Sequence, residues 1–312
     1  MKQHLLLFGL FTLLSLTSFA QTAAESYKKA SDLYDKGDYA NAIIHIDKAL
    51  KFDTENTKYL LLKGNIFNKD KKYQEAFAAY TKAINADPKD ANLYNQRGLL
   101  LMSIQETEYS IMDFSKALDF EKEDSVRVGL LLNRGASKIN MRDFQGAYDD
   151  FTEALKMDSL NIGVLNNLAA VCDEVGKGEL TLPYLLKIIK IDSTFIGAYG
   201  NIGYKYQEMG DYKTAIQYFN KVLKMQPDEP LGFSNRAYNR YKLGDNKNAL
   251  SDINQSIKLY PTNSYAFRVR ALIYLATKEN TKACADIEEA LNLGFTKMYG
   301  EEVEKLKKEN CK

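Results

Sequence analysis

The chain holds little of the chemistry that catalysis needs. Its 312 residues include two histidines, His4 and His45, and three cysteines, Cys172, Cys284 and Cys311. His45 and Cys172 are more than a hundred residues apart and belong to different repeats of the pattern described below, so they make no nucleophile and base. Cys and His do not recur at the short spacings of a zinc site, so neither a metal nor a cofactor is expected. A glycine-rich phosphate loop is also missing. Nor is charge of either sign in excess, with 42 Lys and Arg against 41 Asp and Glu. The basic surplus of a nucleic-acid binder is therefore absent. These absences point away from an enzyme and from nucleic acid, and leave binding by a surface.

Long apolar runs are scarce too. The one that stands out runs from Leu5 to Leu16, behind Lys2 and ahead of Thr17-Ser18-Phe19-Ala20. A charged start, a short apolar stretch and small residues at Ser18 and Ala20 predict a secretory signal peptide over residues 1–20, cut after Ala20. The run is shorter than the about 20 apolar residues of a membrane span. No later run is longer, so no stable membrane insertion is expected after cleavage. The protein is expected to be periplasmic or secreted and near neutral, since removing Lys2 leaves 41 basic residues against 41 acidic ones.

What is present is a repeat. Ile196 to Glu229 reads as two short amphipathic helices, the first with Tyr199, Ile202, Gly203 and Tyr206 on one stripe. The second carries Tyr212, Ala215, Ile216, Phe219 and Leu223. Gly210-Asp211 breaks one from the other, and Pro227 ends the second. One hairpin cannot bury both stripes, so it needs similar neighbours. Eight such units start at Ala23, Thr57, Ala91, Val128, Ile162, Ile196, Pro230 and Ser264. All but one of the steps are 34 residues, and the exception is three extra residues within Asp124 to Arg127. That joint is the expected place for a change in curvature.

Position 8 of every unit is small: Ala30, Gly64, Gly98, Gly135, Ala169, Gly203, Ala237 and Ala271. Position 20 is alanine except for Ser110 and Thr181, and position 24 is large, from Ile46 and Tyr80 to Ile287. Small residues let two helices approach, and the large one fills the space beyond. On these positions the chain resembles the tetratricopeptide repeat (TPR) family over nearly its whole length. The resemblance implies an all-α, right-handed α-solenoid of eight helix-turn-helix units with a C-terminal capping helix. Units 1–3 would span 23–124, units 4–8 would span 128–295, and the cap 296–312. In the fifth unit Gly176-Lys177-Gly178 and Pro183 predict a second helix that starts late, capped by Thr181. The third unit has Gln105-Glu106 where a Gly-Asp turn is expected. In the cap, Met298, Val303 and Leu306 are expected inward, with Glu301, Glu304, Lys305 and Lys308 outward.

Two positions change together. Position 7 is arginine in Arg97, Arg134, Arg236 and Arg270, and position 23 of those units is Asp113, Asp150, Asp252 and Asp286. Leu168 and Ile202 at position 7 go instead with Tyr184 and Tyr218. This predicts ion pairs between the two helices of one unit, a structural role and not ligand capture. Cys284 and Cys311 are a disulfide candidate, because a cap helix folding back would bring them together in an oxidising compartment.

The family's first helices line a concave face, with position 6 pointing into it. Here position 6 carries Gln96, Asn133, Asn167, Asn201 and Asn235 in successive units. A carboxamide both donates and accepts, so a row of them can pair with the backbone of an extended peptide whatever its side chains. Units step by about 10 Å, which an extended chain covers in about three residues. The row resembles the asparagine ladder of O-linked N-acetylglucosamine transferases. Gly129, Gly163 and Gly197 at position 2 would admit a ligand backbone, and Tyr204, Tyr238 and Tyr241 would add an aromatic floor. The lysines and asparagine of the family's carboxylate clamp are not found. The expected partner is a protein or peptide of the cell envelope, held by a non-enzymatic scaffold. The alternative is a glycan or small ligand stacked on the three tyrosines.

Overall fold

In the computed structural model the described residues are 21–311. The expected signal peptide lies outside them. Helix follows helix: α1 (21–35), α2 (Tyr39–Leu50), α3 (Thr57–Lys69), α4 (Tyr73–Ala86), α5 (Ala91–Ser103), α6 (Thr107–Phe120), α7 (Asp124–Asn140) and α8 (Phe144–Met157). Then come α9 (Ile162–Val171), a 3-10 turn (Gly178–Leu180), α10 (Thr181–Ile191), α11 (Ile196–Glu208), α12 (Tyr212–Met225), α13 (Pro230–Lys242), α14 (Asn246–Leu259), α15 (Ser264–Ala276), α16 (Asn280–Asn292), α17 (Phe295–Tyr299) and α18 (Glu302–Asn310). No strand occurs among the described residues. In six hairpins the two helices pack most closely on each other: α3 on α4, α5 on α6, α7 on α8, α11 on α12, α13 on α14 and α15 on α16. The chain forms two compact units, one ending at Val164 and the other beginning at Leu165.

One turn closes every hairpin. Position 15 has positive φ in all eight repeats: Gly37, Gly176, Gly210 and Gly244, and also Lys71, Gln105, Arg142 and Lys278, at φ between 60° and 80°. The third repeat thus makes the same turn as the others with glutamine in the left-handed position, at the strain that a Cβ brings there. Its N–H reaches back to the carbonyl of position 12, as Gly210 to Gln207 at 3.1 Å, and the next N–H to position 11, as Asp211 to Tyr206 at 2.9 Å. Where that next residue is Asp38, Asp143, Asp211 or Asp245, its carboxylate caps the second helix by accepting a backbone N–H three residues on.

Positions 8 and 24 prove to be coupled. Gly64, Gly98, Gly135 and Gly203 face Tyr80, Phe114, Phe151 and Phe219, while Ala30, Ala169, Ala237 and Ala271 share their repeats with Ile46, Leu185, Ile253 and Ile287. A Cβ on Gly135 would lie 2.4 Å from the Phe151 ring, closer than any real contact. The aromatic ring and the missing Cβ are one packing solution; alanine and a branched aliphatic are the other. Gly135→Ala is therefore expected to lose about 1–3 kcal/mol to overpacking, although alanine is the better helix former. Adding Phe151→Ile should return most of it, as urea denaturation would read.

Several expectations change in detail. The extra residues at 124–127 form no loop: they lengthen α7 by a turn at its start. Arg127 there donates to the carbonyls of Leu118 and Glu121 at the end of α6, at 2.9 and 3.2 Å. Helix α10 does start late, but Thr181 does not cap it: Thr181 is its first residue, buried, with Oγ1 lacking a partner. Ser110, the other departure at position 20, is equally buried yet bonds Ser137 at 2.9 Å. The cap is two short helices, broken at Gly300 with φ of 86°. Phe295 and Val303 fill its core against Phe267, Ala271, Ile287 and Ala290, while Met298, expected inward, is exposed.

Candidate functional site

A frame of buried ion pairs fixes the first helices. Each of the four position-7 arginines makes a two-point bond with the aspartate sixteen residues on, Nε and Nη2 donating to the two carboxylate oxygens at 2.7 to 2.9 Å. All four aspartates are buried. The remaining Nη1 reaches back to position 25 of the preceding repeat: Thr81 at 3.0 Å, Ser115 at 3.2 Å, Asn220 at 2.7 Å and Asn254 at 2.9 Å. Each arginine thus ties three helices. The sequence pattern contains this second link, since all four position-25 residues have an oxygen to accept with. In the sixth repeat the exchanged pair carries no charge of its own: Ile202 is buried, and Tyr218 stacks on Tyr206 at 5.7 Å with the Lys221 ammonium 4.8 Å from its ring centre.

Gln96 and Asn133 lie on α5 and α7 of the first compact unit; Asn167, Asn201 and Asn235 lie on α9, α11 and α13 of the second. Asn201 is exposed and the others are half-buried. Gln96 donates weakly to Asn92 at 3.4 Å. The side chains of Asn133, Asn167, Asn201 and Asn235 make no hydrogen bond within the described chain, while the polar residues around the last two are paired. Lys205 of α11 holds Asp173, in the turn just past α9, at 2.7 Å, and Asn239 donates to Gln207 at 2.6 Å and to the Asn235 carbonyl at 2.8 Å. Around Gly129 an added Cβ would meet nothing.

The three predicted tyrosines differ. Tyr204 exposes half its surface, and burial of the rest, with Glu208 beside it, raises its pKa. Tyr238 and Tyr241 tilt together with ring centroids 6.4 Å apart. One residue absent from the expected set joins them: Arg268 of α15, its guanidinium 5.1 Å from the Tyr238 ring centre and 5.7 Å from that of Tyr265. Arg268 is the one charged residue at position 5 in eight repeats, a signal that column comparison offers. Burial pushes the Tyr265 hydroxyl far above its ordinary pKa.

Cys284 and Cys311 are joined in a disulfide, with Cα atoms 5.6 Å apart, tying the end of α18 to α16. Cys172 is buried and unbonded, and burial raises its thiol away from the reactive thiolate. His45 sits on α2 with its pKa lowered by loss of solvent and by Lys29 and Lys48.

Comparison with known proteins bears on this architecture directly. A tetratricopeptide repeat family model matches residues 197–229, and a TPR repeat model matches 64–105. These stretches are tetratricopeptide repeats. Both models describe repeats and neither an enzyme. The chain is 26% identical over 160 residues to RNA polymerase II-associated protein 3 of Xenopus laevis, covering 46% of this chain and 24% of that one. It is 26% identical over 164 residues to Hsp70-Hsp90 organizing protein 1 of Glycine max, covering 50% and 28%. This TPR chain thus spans about a quarter of the length of these relatives. Among solved structures it is similar to YrrB, described as a TPR protein with an unusual peptide-binding site, with TM-score 0.51, 24% identity, and coverage of 60% of this chain and 95% of that one. The C-terminal part of a TPR repeat-containing protein from Cytophaga hutchinsonii gives TM-score 0.60 at 18% identity, over 75% and 95%. At such identities the likeness concerns the fold alone.

Proposed function

We propose that this TPR protein is a non-enzymatic interaction scaffold whose first helices hold an extended segment of another protein. One observation carries the reading: asparagines recur at the same position of successive first helices with their carboxamides unengaged, next to polar groups that are paired. An unengaged donor and acceptor repeated at the step of the repeat matches a backbone, which offers N–H and C=O at regular intervals. The relatives' names agree with an organising role. The glycan reading draws on fewer surfaces, since Arg268 covers a face of Tyr238 and Tyr241 leans on the same ring; Tyr204 remains as an open face.

The leader pattern of residues 1–20 and the Cys284–Cys311 bond support work outside the cytoplasm, where disulfides persist, and hence a partner in the cell envelope. The test is selection of peptides from a displayed library on residues 21–312, followed by affinity measurement with Asn167→Ala, Asn201→Ala. Loss of two hydrogen-bonding side chains should weaken binding about tenfold or more with helicity unchanged by circular dichroism. Equal affinity in parent and variant would move the site elsewhere.

A further inference from the structure

At the last repeat the first-helix face meets a built polar cluster. Arg268 is nine-tenths buried, and its Nε has no partner. Its one acid is Glu302, from the start of α18, which accepts from Nη2 at 2.5 Å. The contact is lopsided. The guanidinium is fixed between the Tyr238 and Tyr265 rings, whereas the Glu302 side chain is 48% exposed. The four arginines of the frame each give an aspartate two donors; Arg268 gives Glu302 one. On α13, next in sequence to Tyr238, Asn239 is fully buried and donates to Gln207 while its own Oδ1 is unpaired. The helices α11, α13 and α15 that carry these residues touch in succession.

A buried guanidinium with no counter-ion is strongly unfavourable, so an empty site needs an acid of its own. A guanidinium fork prefers a carboxylate held at two points. We propose that Arg268 reads an acidic side chain of the bound segment, and that Glu302 is an internal placeholder which that carboxylate displaces. This rests on the peptide reading above. A segment running over Asn167, Asn201 and Asn235 reaches the next repeat about three residues further on, where Arg268 stands. The exchange leaves Arg268 paired throughout, and the displaced Glu302 passes into water, to which it is already half open.

The test uses acetylated and amidated peptides, each selected sequence made with glutamate or glutamine at every position in turn. Amidation removes the chain-end carboxylate, so any preference belongs to a side chain. The parent should favour glutamate at one position by about tenfold. Glu302→Gln should tighten the glutamate peptide about threefold to tenfold and leave the glutamine peptide alone. Arg268→Gln should erase the preference while keeping the affinity of the glutamine peptide. The Glu302→Gln arm stands if Arg268→Gln fails to fold. Equal binding of both peptides by the parent, or no change in Glu302→Gln, overturns the acid site while peptide binding stands. If no peptide binds the parent at all, the groove reading falls and this one with it.

Discussion

Asp286→Ala is expected to destabilise the last hairpin by about 3–5 kcal/mol, because it strands a largely buried guanidinium. Arg270 gives both its Nε and Nη2 to Asp286 at 2.7 Å, and its third contact is a neutral one, Asn254 at 2.9 Å. Only 20% of the Arg270 side chain and 8% of Asp286 meet solvent, so water cannot replace the lost acceptor. The protein itself contains the remedy. Ile202 and Tyr218 occupy the same two positions in the sixth repeat without charge. Arg270→Ile together with Asp286→Tyr should therefore recover all but about 1–2 kcal/mol, since replacing a buried ion pair by apolar packing is often close to neutral. Urea denaturation of the two variants checks this, and equal losses in both would mean that the pair is not the unit that matters.

Breaking the Cys284–Cys311 bond should act on a smaller region. The bond closes a separation of 27 residues, for which loop closure predicts about 3–4 kcal/mol. What else holds α18 is modest: Val303 is buried, Leu306 is half-buried, Glu302 takes a single hydrogen bond from Arg268, and the Lys307–Glu288 pair is exposed enough to add little. Cys284→Ser, Cys311→Ser is thus expected to speed amide exchange over 302–311 by about two orders of magnitude while α11 to α14 keep their protection. Unchanged exchange in the cap would show that its small core suffices. Loss of protection throughout would show that the hairpins depend on their cap.

How far the sequence goes depends on whether a feature repeats. Column by column, the 34-residue step places every hairpin, and the paired change of positions 7 and 23 finds four ion pairs, because eight copies of one environment act as controls for each other. The same comparison could have found the glycine–aromatic coupling at positions 8 and 24 and the position-25 acceptors of the arginines; they need two columns read jointly across one repeat or two. Features that occur once are harder. Thr181 has the residue type of a cap but sits inside the first turn of α10, because the 3-10 turn at Gly178–Leu180 takes the preceding place. Gly300 splits the end of the chain by its left-handed φ, which the apolar spacing of Met298, Val303 and Leu306 does not reveal. Arg268 was visible as the charged outlier at position 5, but its pairing with Glu302 crosses from the repeats into the cap, outside any column.

The central claim is that the asparagine row reads peptide backbone, and N-methylation tests it most directly. A selected peptide would be made with single backbone N–H groups replaced by N–CH3, and each version titrated against residues 21–312 and against Asn167→Ala, Asn201→Ala. The account predicts that methylation at two sites about three residues apart weakens binding to the parent about tenfold and makes little further difference to the variant, because the partner of the missing N–H is already gone. If methylation costs the same in parent and variant at every site, the asparagines do not pair with the backbone and the segment is held some other way.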